Sequence, residues 1–381
     1  MNFNKNDKIL IAPDKFKGSL TAFDVSDALI QGIHSIHKSL NLVSLPLADG
    51  GEGTAEILSY HTNGHPIHVT VHDPLMRPIN SGIHVSGDGK VAYVEMARAS
   101  GLALLAPAER NALHTTTYGT GEQILHAISH KPEKIILCIG GSATNDGGTG
   151  MATVLGYRFY DRRGKLLQPV GKDLVNIQSI DCSGVNPLLS SIAFEVACDV
   201  TNPLTGPSGA SNVYGPQKGV TGNDLLLLDD GLENLAYVIR KDLQKDIKEL
   251  PGSGAAGGLG GGAVAFLNAR IISGIELVMS ISQVRNHVSD ARLVISGEGK
   301  IDRQTLSGKV VKGISDECQK SDVPLVLVCG RNEISMEQFG SHLTQIYSII
   351  NRASSEKEAI SKARQFLITI GKEIGQLIKL D

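Results

Sequence analysis

The stretch KIILCIGGSATNDGGTGMATVLG occupies residues 134–156 of the chain. It begins with a short apolar run rich in β-branched residues, Ile135 to Ile139, which has the length of a β-strand. After a glycine-rich segment, Met151, Val154 and Leu155 recur at the spacing of one helix face. The order strand, glycine-rich turn and helix predicts an α/β fold, in which strands alternate with helices.

The glycine-rich segment is also the first candidate for a binding site. A tight strand-to-helix turn needs one glycine, and this segment has five, namely Gly140, Gly141, Gly147, Gly148 and Gly150. Glycine lets the backbone approach a ligand closely, and free N–H groups at the start of a helix favour an anion. Asp146 would repel a phosphate unless a metal ion or a proton lies between them. The segment therefore predicts a polyanion that is bound together with a cation.

Composition limits the class of protein. The chain has 381 residues, of which 41% are hydrophobic and 20% charged, and this suits a globular protein of two domains. A net charge of −3 argues against a nucleic-acid partner. No apolar run is long enough to span a membrane. The five cysteines form no C-x-x-C pair and the first residues lack the apolar core of a signal peptide, so we expect a cytoplasmic protein.

Strand and helix patterns of the same kind occur at the two ends of the chain. Near the N-terminus, apolar runs at Lys8–Ala12 and Leu42–Leu47 are each followed by a helical pattern. Near the C-terminus, further strand-like runs lie at Leu293–Ser296, Leu325–Val328 and Ile346–Ile349. Alternating strands and helices predict a parallel sheet with right-handed crossovers. The two ends together therefore predict one discontinuous domain.

The pattern changes in the segment 65–95, where apolar and polar residues alternate. Such alternation is typical of antiparallel strands. Pro74 and Pro78 flank the change. We therefore expect one domain from residues 1–78 and 286–381, and an inserted α/β domain at residues 79–285.

Acidic residues follow several of the predicted strands, within or beside glycine-rich loops. The acids are Asp14, Asp49 with Glu52, Asp146, Asp199, and Glu298 with Asp302, and the lysines among them are Lys15, Lys17, Lys218, Lys300 and Lys309. Helix capping or solvation explains any one of these acids equally well. Their repetition at the carboxyl ends of strands, where open α/β sheets bind ligands, favours a site. Carboxylates, lysines and glycine loops are the parts that phosphoryl transfer needs.

Motifs of the common kinase and dinucleotide-binding folds are missing. Gly308-Lys309 lacks the upstream glycine and the following Ser or Thr of a P-loop. Residues 252–257, GSGAAG, match the spacing of the dinucleotide fingerprint, but a long charged helical pattern, Asp224 to Leu250, stands where a strand is required. We therefore reject a dinucleotide oxidoreductase. The residues alone indicate a phosphate-handling enzyme of unassigned fold.

Eight segments of the chain resemble, in the same order, motifs of the bacterial glycerate kinase family. They are IAPDKFKGS (Ile11–Ser19), LPLADGGEGT (Leu45–Thr54), EMARASGL (Glu95–Leu102), GGSATNDGG (Gly140–Gly148), CDVTNPL (Cys198–Leu204), GPQKG (Gly215–Gly219), GAAGG (Gly254–Gly258) and GEGKIDRQTLSGK (Gly297–Lys309). The resemblance spans nearly the whole chain. One departure is Lys15, where members often have Ser. This extra cation beside Lys17 either alters a substrate or phosphate contact or faces solvent.

The resemblance implies ATP-dependent phosphorylation of D-glycerate with Mg²⁺, which makes the chain a phosphotransferase with an alcohol group as acceptor. It also implies a flavodoxin-like parallel-sheet domain built from both termini and an inserted mixed α/β domain, with the active site in the cleft between them. The expected product is 2-phospho-D-glycerate, and 3-phosphoglycerate is the alternative. A non-catalytic sensor that binds a phosphorylated metabolite is an alternative of another class. We expect a monomer or a homodimer with no membrane or nucleic-acid partner.

The resemblance and the loop positions together suggest roles for individual residues. Asp199 is the expected base or hydroxyl-orienting group, Asp146 is the second candidate, and Lys17 is expected to contact the glycerate carboxylate or the γ-phosphate. Candidates for binding substrate or phosphate are Asp14, Lys15, Gly140, Gly141, Ser142, Ala143, Thr144, Gly147, Asn202, Gly254 and Lys309. Candidates for the metal or its waters are Asp49, Glu52, Glu298 and Asp302.

Overall fold

A computed structural model describes residues 2–4, 6–168, 170–307 and 309–380, so Gly308, which precedes the candidate Lys309, lies outside the described residues. The strands within these ranges are β1 (Asn2–Phe3), β2 (Lys8–Pro13), β3 (Asn41–Ser44), β4 (His65–His72), β5 (Pro78–Val85), β6 (Val91–Glu95), β7 (Lys134–Cys138), β8 (Arg158–Tyr160), β9 (Ser179–Asp181), β10 (Ala193–Ala197), β11 (Arg270–Ile272), β12 (Ala291–Ile301), β13 (Leu325–Asn332), β14 (Leu343–Ser348) and β15 (Lys379–Leu380). The α-helices there are α1 (Ala22–His34), α2 (Thr54–His61), α3 (Ala97–Ser100), α4 (Tyr118–Ser129), α5 (Thr149–Val154), α6 (Ala210–Tyr214), α7 (Asn223–Leu243), α8 (Leu259–Leu267), α9 (Gly274–Ile281), α10 (Val284–Ser289), α11 (Val310–Ser321), α12 (Glu356–Ser361) and α13 (Ala363–Leu377). None of these described helices is both long and apolar enough to cross a membrane.

The chain divides into two compact units, and the first unit, residues 1–49 and 275–381, contains a parallel sheet made by both ends of the chain. Among the described residues its strands lie in the order β14-β13-β12-β2-β3, and each pairs in parallel with its neighbours. Numbered in chain order, this is the 2-1-3-4-5 order of flavodoxin-like sheets. The predicted flavodoxin-like sheet from both termini is confirmed.

Helices α1 and α13 cover one side of this sheet and approach each other closely at two glycines. A Cβ on Gly32 would overlap the carbonyl oxygen of Ile368 and would lie 2.8 Å from Cα of Gly371. A capping box starts α1, because the hydroxyl of Thr21 accepts from the N–H of Asp24 while the Asp24 carboxylate accepts from the N–H of Thr21. The start of α1 is therefore fixed locally, and its packing depends on the absence of a side chain at Gly32.

The second unit, residues 50–274, is built on a mixed sheet in which the glycine-rich stretch supplies an interior strand. In the part of the chain that the structure describes, the strand order is β11-β10-β7-β6-β5-β4. Strand β7 pairs in parallel with β6 and β10, whereas β5 pairs antiparallel with both β4 and β6. Ile135, Ile136 and Leu137 of β7 are buried in the core. The predicted order of strand, glycine-rich turn and helix is confirmed, with α5 as the helix.

The limits of the two units differ from the domain limits predicted near residues 78 and 286. Strand β4 pairs along its whole length with β5, from His65↔Val85 to His72↔Pro78, so residues 50–78 belong with the second unit. Pro74 lies within a hairpin turn and Pro78 begins the strand after it; the N–H of Asp73 closes the turn by donating to the carbonyl of Arg77 at 2.8 Å. At the other limit, residues 275–286 belong with the first unit.

Strand β12 is longer than its apolar pattern predicts. The sequence suggests a loop after Ser296, because glycines alternate with polar residues there. Instead the strand continues to Ile301, since Lys300 and Ile301 pair with Arg331 and Asn332 of β13. This extension places Glu298 inside the sheet.

Residues 252–257 follow no strand, which agrees with the rejection of a dinucleotide fingerprint. Helix α7 ends at Leu243, earlier than the predicted Leu250, because Gln244 adopts a left-handed conformation with a φ of 58°. The segment 244–258 consists of turns and irregular structure and leads directly into α8.

We predict that Gly32→Ala lowers the free energy of unfolding by about 1–3 kcal/mol, the usual cost of overpacking, even though alanine favours a helix. The matched control is Gly313 in α11, where a Cβ would meet only the flexible end of Met279, at 3.2 Å. Gly313→Ala should be neutral or should stabilise by up to about 1 kcal/mol. Urea unfolding of both variants measures the difference, and equal stabilities would contradict the packing described for α1 and α13.

Candidate active site

Two acidic side chains lie buried at the carboxyl end of the parallel sheet in the first unit. Asp14 follows β2 and Glu298 lies in the neighbouring β12, with exposed fractions of 3% and 5%. Burial raises the pKa of Asp14 to about 7; Lys15 opposes this shift, and the charges of Asp49 and Glu298 add to it. Burial likewise raises the pKa of Glu298 to about 6. Both carboxylates would therefore be stabilised by an additional cation.

The segment after Glu298 turns back and contacts its carboxylate. The hydroxyl of Thr305 donates to Oε1 of Glu298 at 2.5 Å, and Nζ of Lys309 lies 4.0 Å from Oε2. The same hydroxyl accepts from the N–H of Asp302 at 3.0 Å, and the Asp302 carboxylate pairs with Lys300 at 3.3 Å. The structure thus brings the predicted residues Glu298, Asp302 and Lys309 together in one turn.

Lys15 lies among the acids of this site. Its Nζ donates to Oδ1 of Asp49 at 3.0 Å and lies 3.9 Å from Oδ1 of Asp14. Its side chain is 24% exposed. The sequence left open whether Lys15 alters a substrate or phosphate contact or only faces solvent. Exposure to solvent alone does not describe it, because its ammonium group contacts two candidate site residues, Asp14 and Asp49.

Lys17 has different surroundings from Lys15. It lies in a short turn that is closed by the pairing of Phe16 with Leu20, and it is exposed. Within the described residues, no carboxylate lies within 4.0 Å of its ammonium group. Lys17 is therefore a cation that is available to an anionic ligand.

In the second unit, Asp146 organises the glycine-rich turn from within. It is fully buried, and its carboxylate accepts from the N–H and the hydroxyl of Thr117, both at 2.8 Å, and from the N–H groups of Gly148 and Gly150 at 3.1 and 3.2 Å. Burial raises its pKa, and these hydrogen bonds oppose the shift. The anion at the start of α5 is therefore the protein's own carboxylate. This placement contrasts with the expectation of a phosphate there and of Asp146 as a base.

Two of the amides expected to bind phosphate have acceptors within the protein. The N–H of Ala143 donates to the carbonyl of Ser100 at 2.9 Å, and the N–H of Gly147 donates to the carbonyl of Gly257 at 3.0 Å. These amides hold the turn against neighbouring segments, and the phosphate-binding role expected for Ala143 and Gly147 stays a prediction. The more accessible part of the turn is its start, where Gly140 is half-buried and Gly141 is exposed.

Lys218 is buried beneath the same turn and stabilises it. The sequence did not assign it a role in the site. Lys218 is 1% exposed, and its Nζ donates to the carbonyl of Thr144 at 2.7 Å. Burial lowers its pKa to about 7, although the negative charge of Asp146 opposes this shift. The GPQKG segment marks this lysine in the sequence, but no sequence pattern shows that it is buried.

Two other candidate residues of the glycine-rich turn are also buried. Ser142 is 7% exposed and Thr144 is fully buried. In the described structure, Oγ1 of Thr144 and Oδ1 of Asn145 are buried without a hydrogen-bond partner. These two polar atoms are the part of the turn whose hydrogen bonding the protein itself leaves incomplete.

Glu95 fixes the glycine-rich segment at the start of α2. Its Oε1 accepts from the N–H of Gly53 at 2.6 Å, and Oε2 accepts from the N–H of Ala55 at 3.4 Å. The carboxylate therefore caps a helix N-terminus. Glu52, a predicted metal candidate of the same segment, is exposed.

Asp199 lies after β10 at a point where chain segments of the second unit meet. It is exposed, and its Oδ1 accepts from the hydroxyl of Ser273 at 2.8 Å. A Cβ on Gly274 would lie 2.8 Å from Oδ2 of Asp199, and one on Gly50 would overlap the same atom. Glycines at these two positions let the backbone approach the Asp199 carboxylate closely, and a side chain at either position would displace it.

Asn202 and Gly254 organise the loop that follows Asp199. Nδ2 of Asn202 donates to the carbonyl of Ser208, and its Oδ1 accepts from the hydroxyl of Tyr214, both at 2.7 Å. The N–H of Gly254 donates to the carbonyl of Asn202 at 3.0 Å. The side-chain amide of Asn202 and the N–H of Gly254 therefore form hydrogen bonds within the loop itself. Their ligand-binding roles stay predictions.

The described residues include no group of three or more His, Cys, Asp or Glu that could hold a metal ion by themselves. The acids of the first unit nevertheless suit a hard cation, because Asp49 and Asp302 both add to the raised pKa of Glu298. Mg²⁺ is commonly held by one or two carboxylates together with waters and substrate phosphates. A metal that arrives with a polyphosphate therefore fits this set of donors.

Comparisons with known proteins agree with the motifs. The model of the glycerate kinase family matches residues 9–379. The chain is 41% identical to the glycerate 2-kinase of Escherichia coli and 42% identical to the glycerate kinase of Bacillus subtilis, and each alignment covers 98% of both chains. The crystal structure of a putative glycerate kinase 2 from Salmonella typhimurium LT2 is similar, with a TM-score of 0.83, 42% identity and coverage of 97% of this chain and 98% of that chain. Sequence and fold therefore agree over the full length, and the chain belongs to the glycerate kinase family.

Proposed function

We propose that this kinase transfers the γ-phosphate of ATP to a hydroxyl of D-glycerate and gives 2-phospho-D-glycerate and ADP. The observation that carries the proposal is the set of buried or half-buried acids and adjoining lysines at the carboxyl edge of the parallel sheet, Asp14, Lys15, Asp49, Glu298 and Lys309. Such a set suits a polyphosphate with a divalent cation. The choice of the 2-position rests on the Escherichia coli relative, whose name specifies a 2-kinase.

The chemistry follows the usual course of phosphoryl transfer. The glycerate hydroxyl oxygen forms a bond to the γ-phosphorus, the bond to the bridging oxygen of ADP breaks, and the hydroxyl proton passes to a base. Lys17 and Lys309 are the cations that we assign to the transferred group. Lys17 is exposed, and Lys309 is half-buried with its Nζ 4.0 Å from Oε2 of Glu298.

Asp199 is the group that we assign to the glycerate hydroxyl. It is exposed and lies beside glycine backbone, whereas Asp146 is fully buried and accepts hydrogen bonds from five neighbouring donors. A base must reach the proton that it removes, within hydrogen-bond distance or through one water. Accessibility therefore favours Asp199, and Asp146 serves as the internal support of the glycine-rich turn.

The metal that we propose is Mg²⁺, held by Glu298 or Asp302, with Asp49 as a further ligand or a contact to its waters. When bound it would neutralise charge on the phosphates of ATP. In its absence, the acids of the site would repel the nucleotide. A cytoplasmic location and a monomeric or homodimeric state stay predictions from the sequence.

The direct test of the function is product analysis. With ATP, Mg²⁺ and D-glycerate, we expect formation of ADP and a phosphorus NMR signal of 2-phospho-D-glycerate, with no ADP formed when glycerate is omitted. A signal of 3-phosphoglycerate would assign the alternative product. Binding of phosphorylated metabolites without any turnover would instead support the sensor.

Asp199→Asn keeps the shape of the side chain and removes the charge, so we predict a loss of about 10²–10⁴-fold in kcat. The KM for ATP should change little. Asp146→Asn should mainly lower the melting temperature, because an NH₂ group would face buried donors. Steady-state kinetics and thermal melting of both variants separate these roles. Loss of turnover in a normally folded Asp146→Asn, with Asp199→Asn near the parent, would assign the base to Asp146.

Removal of divalent cations with EDTA should abolish turnover, and excess Mg²⁺ or Mn²⁺ should restore it. The reason is that the negative charges of Asp14, Asp49 and Glu298 repel one another; burial and, to a smaller extent, this repulsion raise the pKa values of Asp14 and Glu298. The phosphates of ATP would add further negative charge unless a cation is bound. A control without EDTA at the same ionic strength excludes a general salt effect. Full turnover in EDTA would show that these acids do not bind a metal that the reaction requires.

A further inference from the structure

A groove of about 320 Å³ lies in the first unit, on the same edge of the sheet as the buried acids. Its walls come from the turn after β2, from the ends of β12 and β13, from the residues after β14, and from α12 and the start of α13. The carboxyl edge of a parallel sheet is the usual place for a ligand in open α/β folds. None of the roles assigned above uses this groove, apart from that of Lys17.

One wall of the groove is apolar and accessible. Ile360 of α12 is 48% exposed, Ile350 is half-buried, and Phe16, Ile349 and Ala359 lie beneath them with exposed fractions of 3%, 1% and 8%. Contiguous accessible apolar side chains around a concave site indicate a ligand with an apolar face. Glycerate does not suit this wall, because each of its three carbons carries an oxygen.

The charged lining of the groove has three cations and one carboxylate. They are Lys17, Lys300, Arg331 and Glu356. Lys300 pairs with Glu333 at 2.9 Å and Arg331 with Glu356 at 3.7 Å, whereas Lys17 has no carboxylate within 4.0 Å in the described chain. The charge that the protein leaves uncompensated is therefore positive, and it lies at the turn that follows Asp14.

The groove and the acidic site meet at the carboxyl edge of the sheet. Gly299, which lines the groove, directly follows Glu298 in β12, so the two residues face opposite sides of the sheet at that edge, and Lys17 lies in the turn that begins after Lys15. A ligand that extends from the apolar wall to the acids would need a flat apolar group at one end and negative charge at the other. A purine nucleotide has this arrangement.

We infer that this groove binds the adenine nucleotide, with the base against Ile350 and Ile360 and the phosphates directed past Lys17 toward Glu298. The inference rests on the proposed function for the identity of the nucleotide. It adds a binding site for the base to the phosphate-binding residues proposed above.

The experiment compares ligands with and without the base. Ala359→Leu fills the apolar wall without adding charge, and Ile360→Glu adds a carboxylate at the rim. Leu377→Glu is the matched control, since Leu377 is also 48% exposed and lies in the same unit, outside the groove. Calorimetry of each variant with ADP and with inorganic tripolyphosphate, both with Mg²⁺, gives the affinities. Thermal melting establishes that each variant is folded.

Both groove variants should bind ADP about tenfold or more weakly than the parent protein and Leu377→Glu. Ala359→Leu should leave tripolyphosphate binding unchanged, because that ligand lacks the base. In turnover, the KM for ATP should rise while the KM for glycerate stays within about twofold. Unchanged ADP affinity in both folded variants, or a rise in the KM for glycerate alone, would overturn the inference.

The same measurements separate this inference from the proposed function. Glycerate-dependent ADP formation by the parent, combined with unchanged ADP binding in the groove variants, leaves the kinase function standing and rejects the groove. Loss of ADP binding in the groove variants, combined with no turnover by the parent, retains the groove and rejects the function.

Discussion

The pairing of β2 with β12 is the interaction on which the first unit depends. Ala12 pairs with Ser296, whose hydroxyl donates to the Ala12 carbonyl at 2.7 Å, across a separation of 284 residues in the chain. Because the two strands are parallel and in register, they end at the same edge of the sheet. Asp14 and Glu298 therefore lie side by side, although they come from opposite ends of the sequence. The effect of the Glu298 charge on the pKa of Asp14 therefore depends on that register.

In the second unit, the main structural requirement is to stabilise a turn that contains many glycines. Glycine loses more conformational freedom on folding than other residues, so such a turn needs strong compensating contacts. The Asp146 carboxylate and the Lys218 ammonium supply them from the interior. Buried charges of this kind are stable only when hydrogen bonds replace the water that they have lost. The turn is therefore held rigidly, and its exposed start, near Gly141, is the part that can meet a ligand.

The periodicity of apolar residues predicted which strands and helices form, but it predicted less accurately where they end. Local hydrophobic patterns found β2, β7 and β13, because buried strands need consecutive apolar residues. The continuation of β12 through Glu298 depends on pairing with β13, and no local pattern records such a partner. Similarly, Pro74 and Pro78 suggested a change of domain, whereas they belong to a hairpin within one sheet.

The sequence by itself determined the α/β class, the sharing of one sheet by the two ends, and the family, since these depend on composition, periodicity and ordered motifs. It also determined which loops carry the acids and lysines. Only the tertiary structure decided which of those groups face inward. Asp146 and Asp199 both follow a strand in similar polar segments, yet the first is enclosed by hydrogen-bond donors and the second is exposed. The reason is that burial and charge pairing depend on distant segments, such as Thr117 for Asp146, and these contacts leave no signal in the local sequence.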